Sequence, residues 1–258
     1  MTRLNQHGQP VGDALDWTPP SPLRPVVLEG RWVRLEPLGP RHAAGLAAAT
    51  GGPERAALWT YLGDEPPAST ADFEGFVTAR AARPGWVTLA VVPLTGPSAG
   101  TAAGVASWLR DDPANGVVEV GGILLGTPLQ RTTAATEAMA LMAAHVFATG
   151  YRRYEWKCDR LNAPSVAAAR RLGFHHEGTF RQAVVVKGRT RDTDWFALTD
   201  ADWTALAPVL GRWLEPGNFA DPERGTGQRL ALSTLTAALA RPDAGTTVSH
   251  AGTRETPA

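Results

Sequence analysis

Hydrophobic and polar positions alternate through residues 32–38, Trp32-Val33-Arg34-Leu35-Glu36-Pro37-Leu38, which is the two-residue period of a half-buried strand. An Ala-rich helix is expected over 40–50, closed by Gly51-Gly52. A second helix is expected over 70–83, where Thr70 offers a cap and Asp72 and Glu74 supply first-turn acids. The apolar runs 86–92 and 101–109 read as two strands, with 93–100 as their hairpin loop, and 117–125 reads as a third. Within 132–149, Ala138, Leu141, Met142, His145 and Val146 recur at steps of three and four, so they share one helical face that Gly150 ends. A short strand at 151–157 and a short helix at 162–172 follow, the helix capped by Asn162 and stopped by Gly173. Strands at 174–187 and 190–198 close the pattern around Gly188-Arg189, and Asp200 or Asp202 would cap a helix running to about Leu214.

This order predicts three regions. Residues 1–30 are an extended lead-in, with Pro10, Pro19, Pro20, Pro22 and Pro25 and no hydrophobic period. Residues 31–214 form an α+β domain on a mostly antiparallel sheet. Residues 215–258 are an extension, with one helix expected at 228–240 and a disordered tail. A chain of 258 residues that is 43% hydrophobic and 19% charged can bury a sizeable core.

Lys+Arg and Asp+Glu are both 25, and this zero net charge argues against generic nucleic-acid binding. The basic residues are nevertheless concentrated. From Arg152 to Arg191, ten Arg/Lys face only Glu155, Asp159 and Glu177, a net of +7. That excess reads either as solvated faces or as an attraction for a polyphosphate ligand; RNA binding through it would require a steep salt dependence. The single cysteine, Cys158, excludes an intramolecular disulfide and a cysteine-rich zinc site, and suits a reducing cytoplasm. The first seven residues hold no apolar signal, and the longest uncharged stretch, 86–109, is broken by Pro93, Gly96, Pro97 and Gly100, so a cytoplasmic protein with no membrane span is expected.

The chemistry concentrates after the 117–125 strand. A loop of small and hydroxylic residues, Gly126-Thr127-Pro128-Leu129-Gln130-Arg131-Thr132-Thr133-Ala134-Ala135, leads into a helix start, where unpaired N–H groups and the dipole favour a phosphate. Taken alone, the same residues describe any capped helix. Three features occur together, however. The strand is followed by Q-x-x-x-x-A and a helix beginning Thr136-Glu137-Ala138. N-x-x-S stands at Asn162 to Ser165, ahead of Arg171-Leu172-Gly173-Phe174. Glu177-Gly178, Arg181, Gly188 and Asp192 then precede a closing strand and Asp202-Trp203. In this order they resemble the GNAT superfamily of acyl-CoA-dependent N-acyltransferases, and within it the RimJ/RimL-type protein N-terminal acetyltransferases. The likeness covers about residues 31–203.

That resemblance implies a GNAT fold of the α/β/α kind: a twisted, mixed, mostly antiparallel sheet of six or seven strands, flanked by helices and splayed into a V that holds acetyl-CoA. It implies that the backbone of Ile123, Leu124 and Leu125 pairs with the pantetheine amides. Gln130, Arg131, Thr132, Thr133, Ala134, Ala135 and Thr136 would receive the pyrophosphate, with Arg170 or Arg171 near the CoA phosphates. Asn162 would bond the pantetheine arm and Ser165 would approach the thioester sulfur. Two features depart from the family pattern. In the loop, usually Q/R-x-x-G-x-G/A, Thr133 stands at the first glycine position and Ala135 at the second, and Ala169 stands where many members carry a tyrosine acid. Thr133 is compatible if it begins a helix at negative φ, its hydroxyl then adding a donor. Ser165, a poor acid, would stabilise the thiolate by hydrogen bonding.

An amine must lose a proton to attack a thioester, and Glu119 is the candidate base; the competing reading is an outward glutamate on a half-exposed strand. His145 reads as a core histidine, Cys158 as buried packing and Glu137 as a first-turn acid matched to the dipole. Trp108 and Trp195 are candidate cleft residues. His175 and His176 point to opposite faces of a strand, so no metal is expected. The expected activity is transfer of the acetyl group of acetyl-CoA to a primary amine, either a protein N-terminus or a small amine, by direct attack in a ternary complex. The alternative is a non-catalytic CoA- or protein-binding module, and either would be a monomer or homodimer. The segments that would shape an acceptor pocket, 50–71 and 183–193, carry no readable motif.

Overall fold

The computed structural model describes residues 3–239. The tail expected to be disordered, and the last residue of the expected helix 228–240, lie outside the described residues. A small hairpin, β1 (Arg3–Leu4) with β2 (Pro10–Val11), stands apart in the lead-in. The lead-in is anchored to the domain: the Trp17 indole donates to Gly150 O at 2.9 Å and the Leu23 amide to Asp111 at 2.9 Å.

The main sheet contains β3 (Leu28–Glu29), β4 (Val33–Pro37), β5 (Trp86–Pro93), β6 (Gly104–Asp112), β7 (Val117–Leu125), β8 (Arg153–Asp159), β9 (His175–Val186) and β10 (Arg189–Thr199). Their spatial order is β3-β4-β5-β6-β7-β8-β10-β9, eight strands where six or seven were expected. The additional one is β3, whose two residues are too few to show a period. All neighbours are antiparallel except β7 and β8.

That parallel pair opens the sheet. Its pairing runs only from Val117↔Arg153 to Val120↔Trp156. Beyond it, β7 continues along β6 to Leu125, and β8 continues along β10 to Asp159, so the two strands part into a V. A bulge lies at the parting point: β7 spends three residue steps, Gly121 to Leu124, where β6 spends two, Ser107 to Val105. Gly122 takes φ +55, and a Cβ there would lie 2.4 Å from both the Arg80 guanidinium and the Trp86 ring. Only glycine satisfies both the backbone and the space.

One face of the sheet is covered by α1 (Ala43–Thr50) and α2 (Asp72–Ala81), packed with Ala90, Val92, Val105 and Leu124 around Trp59 and Phe73. The other carries α3 (Thr133–Ala148), α4 (Ala163–Arg171) and α5 (Asp200–Trp213), packed on Val118, Val120, Tyr154, Trp156 and Phe196. Helix α5 is capped by Thr199, with Asp202 completing a capping box, rather than by either aspartate.

Helix α3 is buried on every side from Thr133 to Ala140, well beyond the single stripe its sequence period suggests. Strands β3, β4, β5 and β8 and helix α5 all lie against it, and the extension adds a contact at its first residue. After a 3-10 turn, β11 (Phe219–Asp221) pairs with β12 (Thr226–Gln228), and the helix expected at 228–240 is the shorter α6 (Leu232–Ala237). Phe219 meets Trp32 and Trp213 edge to face at 5.1 and 5.4 Å. At the hairpin tip, Gly225 O accepts the Thr133 hydroxyl at 2.5 Å. Glu137 also does more than match the dipole. Its carboxylate accepts the amides of Arg31, Trp32 and Val33 at 2.9, 2.7 and 3.1 Å, tying the first turns of α3 to the start of β4. Among the described residues, no helix is long and apolar enough to cross a membrane.

Candidate active site

The wedge between β7 and β8 leaves backbone without a ladder partner. The Gly126 amide donates to Ala103 O at 2.9 Å. By alternation, Leu124 therefore bonds towards β6, while Ile123 and Leu125 turn their N–H and C=O groups into the gap. The Leu125 carbonyl accepts the Gln130 side chain at 3.1 Å, so Gln130 closes the loop on its own strand.

The loop reaches α3 through one left-handed residue, Arg131 at φ +62. Thr133 begins α3 and is not among the positive-φ residues, so its β-branch carries no backbone penalty. Thr132 is the N-cap: its hydroxyl accepts the Ala135 amide at 3.1 Å and donates to Leu129 O at 2.7 Å. Thr133 and Ala134 lie in the first turn, where their amides have no intrahelical acceptor. The Thr133 hydroxyl is not the additional donor expected, because Gly225 O occupies it. Thr136 accepts Arg171 Nη1 at 3.0 Å, and the same guanidinium lies 5.2 Å over the Trp213 ring. Arg170 instead lines a groove between α4 and β9–β10 with Arg160, His176 and Asp194.

On the α4 side, the Asn162 side-chain oxygen caps the helix by accepting the Ser165 amide at 3.2 Å. Ser165 Oγ accepts the Trp156 indole at 3.0 Å, which fixes it beside the wedge. Ala169 is fully buried in the core. Cys158 is buried too, and burial pushes its thiol above the ordinary range. It is expected to be silent to a disulfide reagent at pH 7.5 in the native protein and to react once the protein is unfolded in urea, read as released chromophore. Fast reaction of the native thiol would contradict that burial.

The opposite face of the wedge is charged. Glu119 is only 7% exposed, so it is not the outward glutamate of the competing reading. Lys157, its side chain also 7% exposed, stands 3.0 Å from Glu119 Oε2 and 2.7 Å from Glu155 Oε2. Its ammonium lies 3.6 Å over the Trp195 ring. Arg110 approaches Glu119 at 3.6 Å, and Arg153 reaches both Glu155 and Glu177. Burial pushes the Glu119 carboxyl above the usual range, with Lys157 and Arg110 pulling the other way. Burial also acts on Glu155, but Lys157 and Arg153 outweigh it and hold that carboxyl low.

Trp195 lies on this charged face, over Lys157, whereas Trp108 is core, stacked on His145 at 5.2 Å. Burial lowers the His145 imidazole. Residues 53–65 cross the mouth of this face. The Tyr61 hydroxyl donates to Leu161 O at 3.0 Å, and Lys187, from the β9–β10 turn, donates to Trp59 O at 2.9 Å and pairs with Glu65 at 3.3 Å. The two segments without a readable motif therefore meet each other. The structure places Glu119 and Ser165 on opposite faces of the sheet with the wedge between them. Among the described residues, no group of three or more His, Cys, Asp or Glu could hold a metal.

Residues 33–175 match the acetyltransferase (GNAT) domain family. A GCN5-related N-acetyltransferase from Brucella melitensis is similar at 41% identity and TM-score 0.80, over 86% of this chain and 99% of that one. A probable acetyltransferase of the GNAT family from Chromobacterium violaceum is 35% identical at TM-score 0.69, over 76% and 98%. An acetyl transferase from Salmonella typhimurium, described as modifying the N-terminal serine of a 50S ribosomal subunit protein, shares the fold at 21% identity and TM-score 0.55, over 67% and 99%. No curated protein matches the chain.

Proposed function

The chain belongs to the acetyltransferase (GNAT) domain family, and from that premise we propose that it transfers the acetyl group of acetyl-CoA to a primary amine by direct attack in a ternary complex. The observation that carries this reading is the β7 edge beyond Val120, which lacks a ladder partner on its β8 side, together with the α3 first turn, whose amides have no intrahelical acceptor. Ile123 and Leu125 would meet the pantetheine amides, and the amides of Thr133 and Ala134 the pyrophosphate. Arg131, in the preceding loop, and Arg171, beside Thr136, add positive charge. Asn162 and Ser165 would attend the thioester end.

In the reaction the amine nitrogen bonds the thioester carbonyl carbon and the carbon–sulfur bond breaks. Glu119 takes the amine proton, directly or through water, and the Ser165 hydroxyl stabilises the departing thiolate. Acceptors of the RimJ/RimL kind, peptides with a free N-terminus, are the first class to test, followed by small amines. A cytoplasmic setting accords with the lone buried cysteine. Isothermal titration with acetyl-CoA, followed by CoA release over a panel of N-terminal-serine peptides and small primary amines, tests the reading. Binding with turnover on at least one amine supports it. Binding without turnover on any would leave a CoA-binding module in its place.

A further inference from the structure

The charged face holds a lysine that the transfer chemistry above does not use. Lys157 projects from β8 into the angle between two carboxylates, Glu119 on β7 and Glu155 on its own strand, and under the face of Trp195 on β10. A lysine this buried is costly to keep charged unless it is paired, and here it has two anionic partners and an aromatic face. We propose that Lys157 is a positioning residue for acetyl transfer, holding the Glu119 carboxylate ionised and fixed through Oε2 so that Oε1 is free to take the amine proton.

The geometry divides the two oxygens. Glu119 Oε2 faces Lys157 at 3.0 Å and Arg110 at 3.6 Å. Oε1 lies on the other side, 3.0 Å from the point that a Cβ of Gly121 would occupy. Glycine at 121 therefore leaves room for Oε1 beside the bulge where the strands part. Glu155 has the reverse task. Held by Arg153 at 2.7 Å on one side, it anchors Lys157 at 2.7 Å on the other. The groups facing Glu119 are then Arg110 from β6, Lys157 and Glu155 from β8, and the uncharged Trp195 from β10.

This inference rests on Glu119 acting as the base, and the test separates the two. The side-chain carboxyl carbons of glutamate are labelled with carbon-13 and titrated by NMR in the full-length protein, the Glu119 resonance being the one missing from Glu119→Gln. Lys157→Met removes the cation, and the Glu119 midpoint is expected to rise by about one to two pH units. Glu155→Gln removes a like charge and leaves Lys157 to Glu119 alone, so the midpoint is expected to fall. Opposite shifts from two neutralisations at one cluster are not the signature of general loosening. Lys157→Arg restores the charge and is expected to recover most of the midpoint, though not the geometry. A Glu119 midpoint indifferent to both neutralisations overturns the proposal, whether or not an acceptor amine has been found. With the best amine of the panel, the acid limb of kcat/KM is expected to move with the midpoint. A midpoint that moves while the acid limb stays overturns Glu119 as base, and with it the role of Lys157 in transfer.

Discussion

Glu119→Gln is expected to lower kcat by a factor of about 10²–10⁴ while acetyl-CoA binding persists. The amide has the shape of the carboxylate but cannot accept the proton that the attacking nitrogen must lose. The fold should tolerate the change, because Lys157 keeps Glu155 as a partner. Glu119 lies on the α1–α2 face, away from the α3 turn proposed for the pyrophosphate, so calorimetric affinity for acetyl-CoA should hold. The pH dependence carries a definite sign. Burial pushes the Glu119 carboxyl up, and the ionised form is the working form. Activity of the native protein should therefore fall as pH drops through that raised midpoint, and this limb should be absent from the residual activity of the variant. An unchanged kcat would remove Glu119 from the mechanism.

Glu137→Ala is expected to destabilise the fold by about 3 kcal/mol or more. One carboxylate satisfies three consecutive amides at the entry to β4, and it packs closely there: a Cβ on Gly30 would lie 2.3 Å from Glu137 Cδ. Its removal leaves buried N–H donors without acceptors and frees β4 from α3. The urea midpoint should drop clearly, and Glu137→Gln, whose amide oxygen can still accept, should fall between the variant and the native protein. An unchanged midpoint for Glu137→Ala would mean that the β3–β4 turn holds without this anchor.

The elements themselves were legible because they are local. The alternation at 32–38 became β4, the apolar run 117–125 became β7 with the same limits, and Asn162 capped α4 as its position suggests. The loop before α3 was legible as a helix start, though not in detail: the left-handed residue is Arg131, and Thr133 spends its hydroxyl on a residue 92 positions away. That partner lies in the extension, which follows no period tied to α3. Lys157 was hidden for a related reason. Glu155 and Lys157 visibly share a face of β8, but their meeting with Glu119 depends on the parallel register Glu119↔Glu155, set by two strands that only the α3 crossover joins. Trp108 and Trp195 look alike in sequence, and only their strand faces send one into the core and the other over the lysine.

The bond from Thr133 to Gly225 couples the far end of the chain to the mouth of α3. Were the CoA phosphates seated on that first turn, as proposed above, they would share it with the hairpin tip, and any coupling between the two would be reciprocal: if loosening the hairpin weakened the grip on the anion, a bound anion would fasten the hairpin by the same free energy. Removal of the β11–β12 hairpin is then expected to lower the affinity for acetyl-CoA.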